Sequence, residues 1–191
     1  PKGIQNTGFN SAGLVEFSTS GSGPTVLSPI DFDVVSMAVD ASYLYWSAAS
    51  AGAQGSPYNI MRLPLQGGTP ALVATAPLGA EHLAVDATSV YWTTGGGGGT
   101  NGVVMKAPIG GGPAVTLASG QATPEGLAVD ATHVYWITGG GSTPGVWKLP
   151  LDGGTPVALA TSPTGVPQSI AVDATSVYWT SADGTVMKVA K

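Results

Sequence analysis

Ala38-Val39-Asp40-Ala41-Ser42-Tyr43-Leu44-Tyr45-Trp46 decides the fold, because it returns as Ala84–Trp92, Ala128–Trp136 and Ala171–Trp179. The aspartates of the four copies stand at 40, 86, 130 and 173, at spacings of 46, 44 and 43 residues. Repetition at that period marks a chain built by stacking one supersecondary unit. After each Tyr-Trp comes a Gly/Ser-rich stretch and then an alternating apolar run: Asn59–Leu63, Gly102–Lys106, Gly145–Leu149 and Thr185–Val189. In three copies a Gly-Gly turn with a nearby Pro leads into a final run: Ala71–Ala74, Ala114–Ala118 and Val157–Ala160.

Each unit therefore predicts four short strands, A to D. Strand A ends in Ala-Val-Asp, B carries Tyr-Trp, C carries a Lys or Arg, and D closes the unit. A and B are apolar at nearly every position, which predicts burial on both faces. C and D alternate and carry Lys, which suits outer strands. Pro and Gly recur too often for a helix to persist. A four-stranded unit of this length is that of a propeller blade, whereas β-solenoid coils are shorter and a sandwich does not repeat its sequence. The expected fold is all-β, a β-propeller of about four four-stranded antiparallel blades: 31–80, 81–124, 125–167 and 168–191. The last unit lacks strand D. The N-terminal segment 1–30 supplies a C-like run, Gly13–Ser18, and a D-like run, Pro24–Ser28. This predicts either a fragment of a larger propeller or an open one whose last strand, Val186–Val189, is completed by Gly13–Ser28 of the same or another chain.

Composition agrees. Only 9% of the 191 residues are charged and 43% are hydrophobic, with 29 Gly and 15 Pro. Low charge with abundant turn formers fits many short strands. The net charge is −5 and the six basic residues are scattered, so nucleic-acid binding is not expected. No apolar run is long enough for a membrane span. There is no cysteine, hence no disulfide and no thiolate metal site. The chain begins at Pro1, read here as processing or trimming, and an extracellular or cell-envelope location is expected.

Ala-Val-Asp-Ala-Thr-Ser-Val-Tyr-Trp-Thr resembles the repeat of the YWTD propellers, the class B repeats of low-density lipoprotein receptors. It is also similar in style to repeats in predicted secreted proteins of myxobacteria. The resemblance covers about residues 31–191 and implies a propeller, in style a bacterial and extracellular one, while it says hardly anything of function. It maps onto Tyr45/Trp46, Tyr91/Trp92, Tyr135/Trp136 and Tyr178/Trp179. The motif's final Asp is here Ala48, Thr94, Thr138 and Ser181. Whatever that Asp does in the receptors is not expected of this chain.

The repeated Asp40, Asp86, Asp130 and Asp173 could form a carboxylate ring around a cation. Followed by Ala-Thr or Ala-Ser, they read better as acceptors of backbone N–H bonds in the A–B turn. Trp46, Trp92, Trp136 and Trp179 could form a sugar-binding ring, but one per blade on strand B they read as inter-blade core. His82 and His133 fall in different loops and do not make a zinc site. Gly95–Gly99 reads as a flexible loop, since no Lys and no helix accompanies it. No nucleophile elbow, zincin motif or Walker loop is present, so no catalytic residue, cofactor or metal is expected. The copies differ most five residues before each Asp, at Val35, Glu81, Glu125 and Gln168. Glu81, His82, Glu125 and Gln168, placed in D–A loops at the mouth of the channel, are the candidate ligand-facing groups. The expected function is a non-catalytic binding propeller or self-assembling scaffold, whose partner is itself, a protein or a glycan. The alternatives are a carbohydrate-binding propeller and, less favoured, an enzyme with its site in the mouth.

Overall fold

The computed structural model describes residues 12–16, 25–30, 33–49, 57–95, 99–141, 144–161 and 165–191. Among them are seventeen strands and no helix. β1 (Ala12–Glu16) and β2 (Thr25–Ile30) pair into a two-stranded sheet of their own. Three antiparallel four-stranded meanders follow. The first is β3 (Asp33–Val39), β4 (Tyr43–Ala49), β5 (Tyr58–Pro64) and β6 (Ala71–Ala76). The second is β7 (His82–Val85), β8 (Ser89–Thr94), β9 (Gly102–Pro108) and β10 (Val115–Gln121). The third is β11 (Pro124–Val129), β12 (His133–Thr138), β13 (Gly145–Pro150) and β14 (Val157–Thr161). The last sheet has three strands, β15 (Pro167–Val172), β16 (Ser176–Ser181) and β17 (Val186–Ala190). This is the propeller order, four blades with the fourth lacking strand D. The first strands of successive blades pack side by side, β3 against β7, β7 against β11 and β11 against β15.

Turn chemistry explains the meander. Strands C and D are joined at Gly67-Gly68, Gly111-Gly112 and Gly153-Gly154, and all six glycines have positive φ. Only glycine takes two such residues in succession without a Cβ penalty, so the Gly-Gly pair fixes this corner.

The core lies between blades. Each Tyr-Trp pair points its two rings to opposite sides of the sheet, as neighbours on a strand must. Tyr45 of the first blade clusters with Val90, Trp92 and Ala107 of the second. Tyr91 clusters with Val134, Trp136 and Leu149, and Tyr135 with Val177 and Trp179. Every blade thus offers a tyrosine face forward and receives the next blade's tryptophan face.

Two expectations need correction. The A strands are not buried on both faces: along β3 half-buried residues alternate with exposed ones, including Met37 at 57% and Val39 at 60%. A first strand is covered only where another blade stacks on it. Nor does the N-terminal pair complete the fourth blade within one chain. β17 is the edge of its sheet among the described residues, and β1 pairs with β2. Pairing two segments close in sequence costs less entropy than closure onto a distant edge.

Candidate functional site

The repeated aspartates are held inside their own turns. Asp86 Oδ1 accepts the backbone N–H of Thr88 at 2.7 Å and of Ser89 at 2.8 Å, while Oδ2 accepts the Tyr91 hydroxyl at 2.8 Å. Asp40, Asp130 and Asp173 do the same with Tyr45, Tyr135 and Tyr178. Burial alone would raise the Asp86 carboxyl, but the N–H groups and the phenol outweigh it and hold the group below the usual carboxylate range. Asp40 and Asp130 are lowered in the same way, Asp130 with the further help of the Lys191 ammonium. Asp173, whose turn N–H from Thr175 is the largest influence, is lowered to about 2. Tyr45, Tyr91 and Tyr135 are pushed well above the ordinary phenol value, by burial first and then by the bond to the carboxylate.

The tyrosine hydroxyls were not anticipated from sequence, where Tyr-Trp was read as packing alone. The available clue was the fixed step of five residues from Asp to Tyr in every copy. The four repeated tryptophans are buried, and the Nε1 of Trp136 donates to Gln121 Oε1 at 2.9 Å. The positions that replace the motif's last Asp also carry bonds in two blades. Thr94 Oγ1 accepts the Val103 N–H, and Thr138 Oγ1 accepts the Gly145 N–H and the Trp147 indole N–H. These hydroxyls fasten strand B to the start of strand C.

At the opposite ends of the A strands, three of the four candidate groups converge. Glu81 lies in the D–A connection, whereas His82 opens β7, Glu125 stands in β11 and Gln168 in β15. Placing the last three in loops was therefore wrong. Pro124 and Pro167 already pair with Thr138 and Ser181, so each sheet extends beyond the motif. Thr93 Oγ1 bridges the blades, 3.4 Å from His82 Nδ1 and donating to Glu125 O at 3.3 Å. Burial raises the Glu125 carboxyl, with His82 pulling it down and Glu81 pushing it up. Glu81, His82 and Glu125 thus form one half-buried polar cluster, while Gln168 is exposed on β15. Each glutamate lies over a glycine: a Cβ added at Gly95 would overlap the Glu81 carboxylate, and one at Gly139 the Glu125 carboxylate. His133 lies at the other end, where it opens β12 beside Thr132 instead of standing in the A–B turn. Residues 96–98 of the glycine run lie outside the described residues. Among the described residues no group of three His, Asp or Glu side chains is arranged to hold a metal ion.

No protein-family model matches the chain, and no curated protein sequence does either. Solved structures do. A chain of the nidogen/laminin complex superposes with a TM-score of 0.72 at 23% identity, over 87% of this chain and 64% of that one. The computationally designed Ika4 protein matches with a TM-score of 0.65 at 15% identity, over 84% of this chain and 92% of its own. An oligogalacturonate lyase in complex with manganese matches with a TM-score of 0.65 at 12% identity, over 94% and 59%. The chain thus spans less than two thirds of the nidogen/laminin chain and of the lyase. The likeness is one of fold. The protein is a β-propeller.

Proposed function

We propose that the chain is a non-catalytic binding propeller of the cell exterior or envelope, a scaffold that meets a protein partner at the mouth cluster of Glu81, His82 and Glu125. The observation that carries this reading is where uncommitted chemistry remains. The repeated Asp and Tyr groups are spent on turns, the Trp rings on blade junctions, and the side chains that differ between blades gather at one end. Two carboxylates on a chain of net charge −5 favour a partner that presents Lys or Arg. The neighbour from the nidogen/laminin complex supports protein recognition. The sugar reading needs exposed aromatic platforms, and the four repeated tryptophans are at most 3% exposed. The test is to present the immobilised chain to a panel of extracellular proteins and, in parallel, to a glycan array. Salt-sensitive retention of a protein, lost in the Glu81→Gln/Glu125→Gln double variant, supports the proposal. Glycan retention that survives the double variant overturns it.

A further inference from the structure

In the three complete blades, strand D lies on strand C in one and the same register. Ala74, Ala118 and Ala160 stand opposite Ile60, Val104 and Val146, while Leu72, Thr116 and Ala158 stand opposite Met61, Met105 and Trp147. Each time one D residue is left over between the two pairs: Val73, Leu117 or Leu159. Every D strand therefore carries a bulge at the same place. The bulged residue and the alanine after it pack into the blade junction. Val73 and Ala74 join Ile60 and Trp92, Leu117 and Ala118 join Val104 and Trp136, and Leu159 and Ala160 join Val146 and Trp179. None of these D strands, β6, β10 or β14, contains a charged residue.

β17 is the same strand C without its partner. Val186, Met187 and Lys188 pair with Thr180, Trp179 and Tyr178, as Val146, Trp147 and Lys148 pair with Ile137, Trp136 and Tyr135. Among the described residues no strand lies on the outer side of β17. Val186 is 73% exposed, whereas Ile60, Val104 and Val146 are buried. The backbone of this edge is aimed outward at the same two points that bind strand D elsewhere. Ser181 N–H donates to Thr185 O, and Lys191 N–H to Thr175 O. Antiparallel bonding alternates along a strand, so the odd-numbered residues of β17 face β16. The N–H and C=O of Val186 and Lys188 therefore face away from the sheet. A second copy of the chain has no strand to offer here, because β6, β10 and β14 lie in their own sheets and β2 is paired with β1.

We propose that β17 is a docking edge for an extended segment of another polypeptide, which adds to the fourth blade as its strand D. The internal ladders define the chemistry of that segment. It is uncharged, runs antiparallel to β17 and contains Leu or Val followed by Ala. The Ala stands opposite Val186, the Leu or Val before it is the bulged residue, and the backbone bonds run to Val186 and Lys188. Main-chain bonds hold the segment, and the large-then-small pair beside Val186 selects it. A charge at the bulged position would be pressed against Val186 and Met187 with no partner. This edge is a site separate from the cluster of Glu81, His82 and Glu125 and does not depend on it.

The probe is a synthetic peptide with the sequence of residues 154–161, Gly-Thr-Pro-Val-Ala-Leu-Ala-Thr, titrated into the whole chain. NMR should show one-to-one binding, with the Val186 and Lys188 amides shifted and their exchange with solvent slowed. A peptide carrying Leu159→Asp should bind about tenfold more weakly or worse. In the protein, Lys188→Pro removes one outward N–H, and an edge strand tolerates proline where its N–H faces solvent. Circular dichroism should therefore stay unchanged while peptide binding falls about tenfold. Val186→Asp alters a side chain exposed in the single chain and should lose the peptide as well. No shift along β17, or equal binding by the parent chain and both variants, overturns the inference. A parent chain that sediments as a dimer with its Val186 and Lys188 amides already protected shows a second copy on this edge and overturns it equally.

Discussion

Replacing Asp86 by Ala removes one carboxylate that closes a turn and receives a buried phenol. Thr88 is exposed and water replaces the acceptor for its N–H, while Ser89 is half-buried and loses a bond worth about 0.5–1.5 kcal/mol. Tyr91 is only 1% exposed, so its hydroxyl loses its carboxylate acceptor and keeps only the Ser89 hydroxyl beside it, at about 1–3 kcal/mol. The sum is about 2–4 kcal/mol, or a fall in Tm of roughly 5–15 °C for a chain of this size. Guanidinium unfolding followed by tryptophan fluorescence measures it, with the midpoint lowered and the slope unchanged. The same substitution in a Tyr91→Phe background should cost less, by about the phenol's 1–3 kcal/mol share, because no hydroxyl is there to lose its carboxylate acceptor. Asp173→Ala supplies an internal control: Tyr178 is only half-buried, and the loss should be smaller than at Asp86. Strict additivity in the cycle, or an equal loss at Asp173, would refute the account.

Trp136→Ala should destabilise by about 3–5 kcal/mol, since it empties a fully buried site between the second and third blades, again read by denaturant midpoint. Stability should fall in acid: the turn carboxylates are lowered in the fold, so their contribution is complete above the unfolded value of roughly 3.9 and is lost as pH drops towards about 2, the value of Asp173. Lys191→Met removes the ammonium that helps lower Asp130, and acid unfolding of that variant should begin at higher pH. Gly139→Ala should push the Glu125 carboxylate off the backbone into solvent, so its raised pKa, titrated by NMR, falls back towards the ordinary glutamate value.

The architecture was legible because one unit is written four times. A fixed period gives the blade, Gly-Gly gives the C–D corner, and the step from Ala-Val-Asp to Tyr-Trp gives the A–B turn. The three-stranded fourth blade was legible for the same reason, its missing D run recognisable against the three complete copies. What a repeat does not encode is which side of a strand will be covered. Met37 and Val39 are as apolar as any core residue, and only the folded chain shows that they stay 57% and 60% exposed. The reach of Arg62 to Ile109, and of Lys106 to Leu151, was hidden likewise, because the sequence read the basic residue of strand C as a guard against edge pairing.

The cluster of Glu81, His82 and Glu125 was half legible, and its missing half has a physical form. Glu81 and Glu125 drew attention as departures from the repeat, but Thr93, which joins His82 to Glu125, did not. Stacking brings equivalent ends of adjacent blades together, so residues some forty positions apart become neighbours although nothing links them in sequence. One further pattern was present and unread. Fourteen residues after each variable position stand Ala49, Gly95, Gly139 and Ala182, so the two glutamates coincide with the two glycines. Gly95 and Gly139 are the strand-exit residues over which those carboxylates lie, where a methyl group would collide with them. Where the side chain is Val35 or Gln168, alanine stands at the equivalent position. Glycine here makes room for a carboxylate, a requirement quite different from the turn glycines and their positive φ, and so the two acidic groups and their glycines form one built feature.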